Sequence, residues 1–266
     1  MIDLHVHLVP GVDDGPKDLE TALALARLAY AGGVRIATLT PHHMPGMYEN
    51  TAEQIQGYVK LMQDHYDREG IDIHLLPGQE AFPEGDLKER YENGELQTLG
   101  GGDYLLVDLP QQDCPYYIEQ LLFSLQAKGL MPILAHPERN RALRHHPERL
   151  QAMINTGMRA VMSAGSLHGA FGVSAQKAAQ EFLQRGLIQL VASDAHHPDG
   201  PAYFPLQNRP VIEALIGAER TREVMEINPQ RVLDSKEIPV TIIPFELAQA
   251  KKKPSLWARL FSPSAV

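Results

Sequence analysis

The chain has 266 residues, 44% hydrophobic and 21% charged, which suits one large α/β barrel or two small domains. The 24 Lys and Arg against 33 Asp and Glu give a formal net charge of −9, which excludes a dedicated nucleic-acid binder with a basic stripe. The single cysteine, Cys114, excludes an intrachain disulfide framework and a zinc site built from cysteine alone.

The opening M-I-D-L-H-V-H carries no basic n-region and no apolar h-region, and no apolar run reaches about 18 residues, so a cytoplasmic protein is expected. A first strand is predicted over about residues 2–7. The first helix begins near Pro16 and places Leu19, Leu23, Ala26 and Tyr30 on one apolar face. A second strand covers about 34–40. The second helix opens on T-A-E-Q, Thr51 to Gln54, a capping-box pattern, and Ile55, Val59, Met62 and Tyr66 form its stripe. Further strands fall at about 72–79, 104–108, 131–135, 159–163 and 188–193, with helices at about 115–128, 147–156, 173–185 and 209–226. The pairs Gly33-Val34, Gly70-Ile71, Gly129-Leu130, Gly157-Met158 and Gly186-Leu187 each follow a helical pattern and open an apolar run. They read as helix-to-strand loops with glycine at the helix C-terminus, hence repeated βα units on a parallel sheet.

Seven strands with helical crossovers predict a closed or nearly closed β/α barrel over residues 1–247. A doubly wound nucleotide-binding sheet would carry a Gly-rich loop after the first strand, where H-V-H stands instead. From Ala248 the composition turns basic and Pro-containing, so residues 248–266 read as a tail. There Lys251, Lys252 and Lys253 precede Leu256, Trp257, Leu260 and Phe261, an apolar stripe at helical spacing. The plain reading is a segment docked on the barrel or left without a fold; the sharper one is peripheral contact with an anionic membrane.

Metal-binding residue types gather at the predicted strand ends. These are His5 and His7, then Asp13 and Asp14 in G-V-D-D-G-P, His42 and His43 in T-P-H-H, and Glu80 in P-G-Q-E. Asp108 in V-D-L-P, His136 in A-H-P-E-R, and Asp194 and His196 in S-D-A-H complete the set. Active sites of α/β barrels lie at this end of the strands. His5 and His7 are two apart on a strand and so share a face, and Asp194 and His196 repeat that spacing. Imidazoles with carboxylates suit Zn, Mn, Fe or Co, and the number of donors predicts two or three ions with Glu80 bridging a pair. Only one of Asp13 and Asp14 is expected to ligate, the other to cap the following helix. His43, His65, His74, His145, His146 and His197 read as structural or surface residues, and Cys114 as a small packing residue. Arg139 offers a planar donor fork that matches phosphate, with Arg141 as its rival and Arg209 in Q-N-R-P as a second candidate.

The run D-L-H-V-H-L-V-P-G-V-D-D-G-P, followed by T-P-H-H, P-G-Q-E, A-H-P-E-R and S-D-A-H, resembles the bacterial PHP-domain protein-tyrosine phosphatases found with capsule and exopolysaccharide genes. The resemblance spans about residues 1–245 and implies a distorted β/α barrel holding divalent metals, usually manganese. It also implies a phosphotyrosine substrate on the tail of a bacterial tyrosine kinase. It puts His5, His7, Asp14, His42, Glu80, His136, Asp194 and His196 on the family's ligand pattern and chooses Asp14 over Asp13. Asp108 stands where the family commonly has Glu, and Val161 where it often has Gln. Arg139 falls on a phosphate-contacting arginine and Arg209 on a second. His42 and Asp194 join the two arginines as catalytic candidates, because a His or Asp of the ligand shell can protonate the leaving phenolate. Two rival readings stay open: a histidinol-phosphate phosphatase or other small phosphomonoesterase, and a metal-bound regulator that holds a kinase tail with weak catalysis.

Overall fold

The computed structural model describes residues 1–200 and 204–244. The predicted tail, 248–266, lies outside the described residues. The strands are β1 (Ile2–Val6), β2 (Ile36–Leu39), β3 (His42–His43), β4 (His74–Pro77), β5 (Glu80–Ala81), β6 (Tyr104–Val107), β7 (Met131–Ala135), β8 (Arg159–Ser163) and β9 (Leu190–Ala192). All named pairings are parallel, in the orders β1-β2-β4 and β3-β5-β6-β7-β8-β9. The predicted second and third strands, about 34–40 and 72–79, appear as β2 and β4, and each is followed by a further two-residue strand, β3 or β5, that joins the other sheet. At Gly78, between β4 and β5, an added Cβ would lie 2.5 Å from Thr38 Cγ2 and 2.9 Å from a Leu99 methyl. The strand passes its neighbours too closely for a side chain there. The barrel closes at its carboxyl end, where Val6 bridges Ala195, His7 N–H donates to Ala195 O (3.0 Å) and Asp194 N–H donates to His5 O (2.9 Å).

The helices are α1 (Leu19–Ala31), α2 (Ala52–Glu69), α3 (Leu87–Glu92), α4 (Tyr116–Gln126), α5 (Arg141–His145), α6 (Pro147–Asn155), α7 (Val173–Arg185), α8 (Pro205–Ile216), α9 (Ala218–Arg222) and α10 (Asn228–Leu233). The predicted helix over 209–226 is in fact α8, α9 and a π turn at Glu223–Ile227, because Gly217 takes a positive φ of 82° between the first two. Asp18, not Asp13, caps α1, accepting from Thr21 N–H at 2.8 Å. The capping box at Thr51 and Gln54 forms as the sequence predicts. No described helix is long and apolar enough to cross a membrane.

The core explains how β1 aims its histidines. Ile2 and Leu4 pack inside the barrel with Leu106, Ile133 and Val161, whereas Val6 and Leu8 pack outward against Ala22 and Leu25 of α1. The side chains change face because the β1–β2 register slips between Asp3 and Val6. A one-residue irregularity reverses alternation, and here it turns His5 and His7 inward at the mouth.

Candidate metal centre and active site

All nine predicted ligand residues meet at the carboxyl ends of the strands. Their donor atoms form four groups, each within 4.8 Å: His7, Asp14, His42 and His196; His5, His7 and Glu80; His5, His136 and Asp194; and His42, Glu80 and Asp108. His5, His7, His42 and Glu80 each belong to two groups, so the groups are contiguous, and Glu80, with two carboxylate oxygens, is the one of the four able to bridge a pair of ions. Two residues reach the centre through unusual backbone. His136 and Asp194 have φ of 34° and 52°, a left-handed region costly for residues with a Cβ and concentrated at functional sites.

Glu80 sits at the middle. Its Oε2 lies 3.1 Å from His5 Nε2, 3.3 Å from His7 Nε2 and 3.1 Å from His42 Nδ1, while Oε1 meets His136 Nε2 at 3.0 Å. Despite these approaches Glu80 Oε2 is buried with no hydrogen bond of acceptable geometry, and so is Asp194 Oδ1. Buried carboxylate oxygens without partners cost several kcal/mol in a protein interior (about 1–3 each, more when charged). Imidazole nitrogens and orphaned carboxylate oxygens converging on common points fit divalent ions that bond to both.

The protonation of this cluster tells the same story. Burial disfavours charge on His5 and His7, but Glu80 and Asp194 on the first and Asp13 on the second outweigh it and raise both pKa values. Burial likewise opposes ionisation of Glu80, yet His5 and His42 hold its pKa well below the usual carboxylate range. Asp14 is lowered chiefly by its bond with His196. Burial lowers the pKa of His42 and, with Arg139, that of His136. Protons on His5 and His7 therefore supply positive charge that bound ions would supply, and metal binding would displace them. Asp108 moves the other way: burial, then Glu80, pushes its carboxyl up to about 8. It stands 3.7 Å from His136 Nε2.

Asp13 has a role that spacing did not reveal. Its Oδ2 accepts from His7 Nδ1 at 2.7 Å and from His42 N–H at 3.2 Å, and its Oδ1 accepts from Gly15 N–H at 2.9 Å. It fixes the tautomer and tilt of a metal-facing histidine, as carboxylates behind such histidines do. Asp14, 53% exposed at its side chain, faces His42 Nε2 and His196 Nε2, each at 3.4 Å. Gly15 leaves room for this turn, since a Cβ there would lie 2.9 Å from Asp13 Oδ1 and 3.1 Å from His7 Cβ. G-V-D-D-G-P thus delivers one carboxylate to the centre and one behind it. Asn50, unremarked in the sequence, donates to Val12 O and His42 O and ties the first two strand-end loops together.

Arg139 lies at the mouth. Its Nη1 donates to Asp194 Oδ2 at 2.7 Å, its guanidinium covers the Phe171 ring at 4.2 Å, and 19% of its side chain remains exposed. It lines a cavity of about 290 Å³ with Asp14, His42, Glu80, Asp108, His136, Asp194 and His196. Arg209 is not brought there. It pairs with Glu213 (3.4 Å) and with Glu226. Glu226 in turn acts on the pKa of the Met1 amine, at the end of β1 opposite to His5 and His7. The expectation that Arg209 contacts phosphate is corrected accordingly: its charge is already matched by two carboxylates. Arg141 is exposed on α5 and faces a separate surface cleft. His43 is buried facing Arg90 and away from the centre; burial, then Arg90, lowers its pKa to about 4. Cys114 is buried outside the mouth, and burial pushes its thiol up to about 11, so it is no thiolate nucleophile.

A distorted parallel β/α barrel with a shared imidazole–carboxylate mouth defines a metal-centre protein of the barrel hydrolase kind. The profile of the capsular polysaccharide synthesis family CpsB/CapC matches residues 1–234, and the chain belongs to that family. It is 34% identical over 219 residues to the tyrosine-protein phosphatase YwqE of Bacillus subtilis (strain 168), covering 82% of this chain and 86% of YwqE. It is 30% identical over 247 residues to the tyrosine-protein phosphatase CpsB of Streptococcus agalactiae serotype V, covering 90% of this chain and all of CpsB. A crystal structure from work describing YwqE and Streptococcus pneumoniae CpsB as unique metal-dependent tyrosine phosphatases superposes with a TM-score of 0.87 at 32% identity, over 92% of this chain and 100% of that one.

Proposed function

We propose that the substrate of this metal-dependent tyrosine phosphatase is a phosphotyrosine segment of a bacterial tyrosine kinase that regulates capsule or exopolysaccharide synthesis. The observation that carries the reading is the pairing of two features in one cavity. Glu80 Oε2 and Asp194 Oδ1 are buried beside four imidazoles with no hydrogen bond, and the Arg139 donor fork faces the same space. The first feature fits divalent cations, and the second fits the dianion of a phosphate ester.

His5, His7, Asp14, His42, Glu80, Asp108, His136, Asp194 and His196 would hold two or three ions, with manganese the favoured metal. When bound, such ions neutralise the ester's negative oxygens and lower the pKa of a coordinated water. The remaining work belongs to the chain. Asp13 keeps His7 Nε2 turned to the centre by holding its Nδ1–H. Asp194 anchors Arg139 through Oδ2, so the guanidinium presents its other N–H groups to equatorial phosphate oxygens. Tyrosine's phenolate, with an ordinary pKa of about 10, leaves readily. Burial opposes ionisation of Asp194, but His5 and His136 hold it well below the usual carboxylate range and it accepts from Arg139, so of the two candidate proton donors His42, which also borders the cavity, is the one that remains. The residues 248–266 would form a separate basic tail beside the 1–247 barrel and touch anionic membrane near the kinase. Deleting them should leave phenyl phosphate turnover intact and weaken binding to acidic vesicles; equal binding would end that idea.

Chelation followed by readdition of Mn tests the central reading. Turnover of a phosphotyrosine peptide should vanish and return, and histidinol phosphate should be a poor substrate by comparison. A protein that prefers histidinol phosphate, or that retains full turnover without metal, contradicts it.

A further inference from the structure

The cavity at the donor cluster is lined by two kinds of residue. One kind is charged or carries imidazole, Arg139 among them. The other is apolar or aromatic: Met44, Met47 and Tyr48 of the turn after β3, Phe82 after β5, and Leu109 with Pro110 after β6. None of these side chains belongs to the four donor groups. Met47 is 65% exposed, one of few large apolar side chains left in water, and it stands at the rim. Glu80 and Asp194, which line the same cavity, are 5% exposed or less. The turn that carries Met47 and Tyr48 is fixed by a Met44–Tyr48 bridge, and the Tyr48 ring lies nearly parallel to His42, 18° between planes. The apolar wall is therefore held in register with a donor residue.

We propose that Met47, Tyr48, Phe82 and Leu109 form the subsite for the aromatic ring of the substrate, and that this wall, rather than the donor cluster, sets the preference for aryl over alkyl phosphate esters. The assignment rests on the phosphatase reading and adds which residues make it selective. A phosphate seated among the buried donors needs a spacer to reach the rim, where the polypeptide stays outside. In phosphotyrosine that spacer is a flat ring, and the apolar part of the lining is the place for it. Phosphoserine has the same phosphate and no ring, so it would neither bury the wall nor carry the backbone clear of the rim. Apolar contact with a flat ring is worth roughly a factor of ten or more per well-packed side chain, and methionine adapts readily to an aromatic face.

The experiment compares phenyl phosphate with phosphoserine as substrates of the metal-loaded protein, for wild type, Met47→Ala and Phe82→Ala. Each form is first checked for equal metal content and unfolding temperature; Met47 is at the rim, so its truncation leaves the fold alone. Each variant should lose about tenfold in kcat/KM on phenyl phosphate, mainly through KM, and less than about twofold on phosphoserine. In parallel, competitive inhibition by phenylphosphonate should weaken while inhibition by methylphosphonate stays unchanged. If both substrates fall together, or the aryl preference survives both truncations, the ring lies elsewhere and the proposal is overturned. If wild type hydrolyses neither ester with metal present, the phosphatase reading fails and takes this assignment with it.

Discussion

The two ends of the barrel treat buried charge in opposite ways. At the amino ends of the strands, Arg159 spends all three nitrogens on backbone carbonyls: Nε and Nη2 donate to Ile238 O, and Nη1 to Gly157 O and Met158 O. Around it Tyr104 OH donates to Lys236 O, Asn228 donates to Gln189 O, and Gln189 bonds both Ala160 N–H and Gly186 O. This end is a finished polar network laid over the barrel by the chain at 236–243. At the carboxyl ends, Glu80 and Asp194 each keep an oxygen without a hydrogen bond inside a cluster of imidazoles. A fully satisfied buried network stabilises, and an unfinished one costs. The difference teaches where the fold is built for stability and where its donors are arranged to fit bound ions.

The hardest blow to that contrast should fall on the unfinished end. His136→Ala removes a nitrogen that meets both Glu80 and Asp108, and it should lower phosphotyrosine turnover by about a thousandfold or more with loss of bound metal. Cys114→Ser should keep near wild-type turnover, because the thiol is buried outside the mouth and held protonated. Metal analysis and steady-state rates on both proteins decide it. A dead, folded, metal-replete Cys114→Ser protein would refute the metal-centred chemistry.

A smaller effect separates the two arginines. Arg139→Lys keeps a charge but loses the fork that bonds Asp194 and faces the cavity, and kcat/KM should fall about a hundredfold. Arg209→Ala should leave kcat/KM within about twofold, since a surface pair carries about 0–1 kcal/mol and no part of the mouth. Comparable losses in the two variants would mean that a helix far from the donors reaches the substrate after all.

Why one arginine was legible and the other was not follows from what a sequence encodes. Strand alternation and strand ends are local, so His5 with His7, and Asp194 with His196, could be read as convergent from their spacing of two. Arg139 follows a strand end within three residues of His136, and its place is equally short-range. Arg209 lies on a helix after the last strand, and nothing local fixes which way that helix faces. The one available signal was Glu213 four residues on, which marks a side-chain pair along a helix surface. Asp13 was misread for a related reason. A carboxylate near a helix start looks like a cap, and only the three-dimensional turn brings it to His7 Nδ1. The register slip in β1, the left-handed His136 and Asp194, and Phe171 under Arg139 leave no mark in hydrophobic periodicity.

The comparison is sharpened at Asp108, whose pKa is raised by burial and by the neighbouring Glu80 carboxylate. If bound ions offset that repulsion, Asp108→Ala should lose one metal or about tenfold or more in turnover, whereas Asp108→Glu should retain most of both. Metal content titrated against activity reads this directly. An Asp108→Ala protein with wild-type metal content and rate would take the residue out of the centre.

The smallest effect is expected between the two ends, at Glu138. It is wholly buried: Oε1 accepts from Ser163 N–H at 3.1 Å and Ser166 Oγ–H at 2.7 Å, while Oε2 has no partner. It is half finished, like the base on one oxygen and like the mouth on the other, but it faces no donor group that an ion could bridge. Burial pushes its carboxyl up to about 7 from 4.5. A carboxyl whose folded pKa exceeds its unfolded one stabilises fully below the unfolded value, and that contribution is lost as pH rises through the folded value. Wild type should therefore lose stability between pH 4.5 and about 7 and level off above. Glu138→Gln keeps an acceptor for both serines without the titration. Its stability should match wild type near pH 4 and exceed it by about 1–3 kcal/mol at pH 8. Urea unfolding at the two pH values measures the difference. A gain at pH 8 no larger than at pH 4 would show that Glu138 carries no titration penalty and belongs, energetically, with the finished end of the barrel.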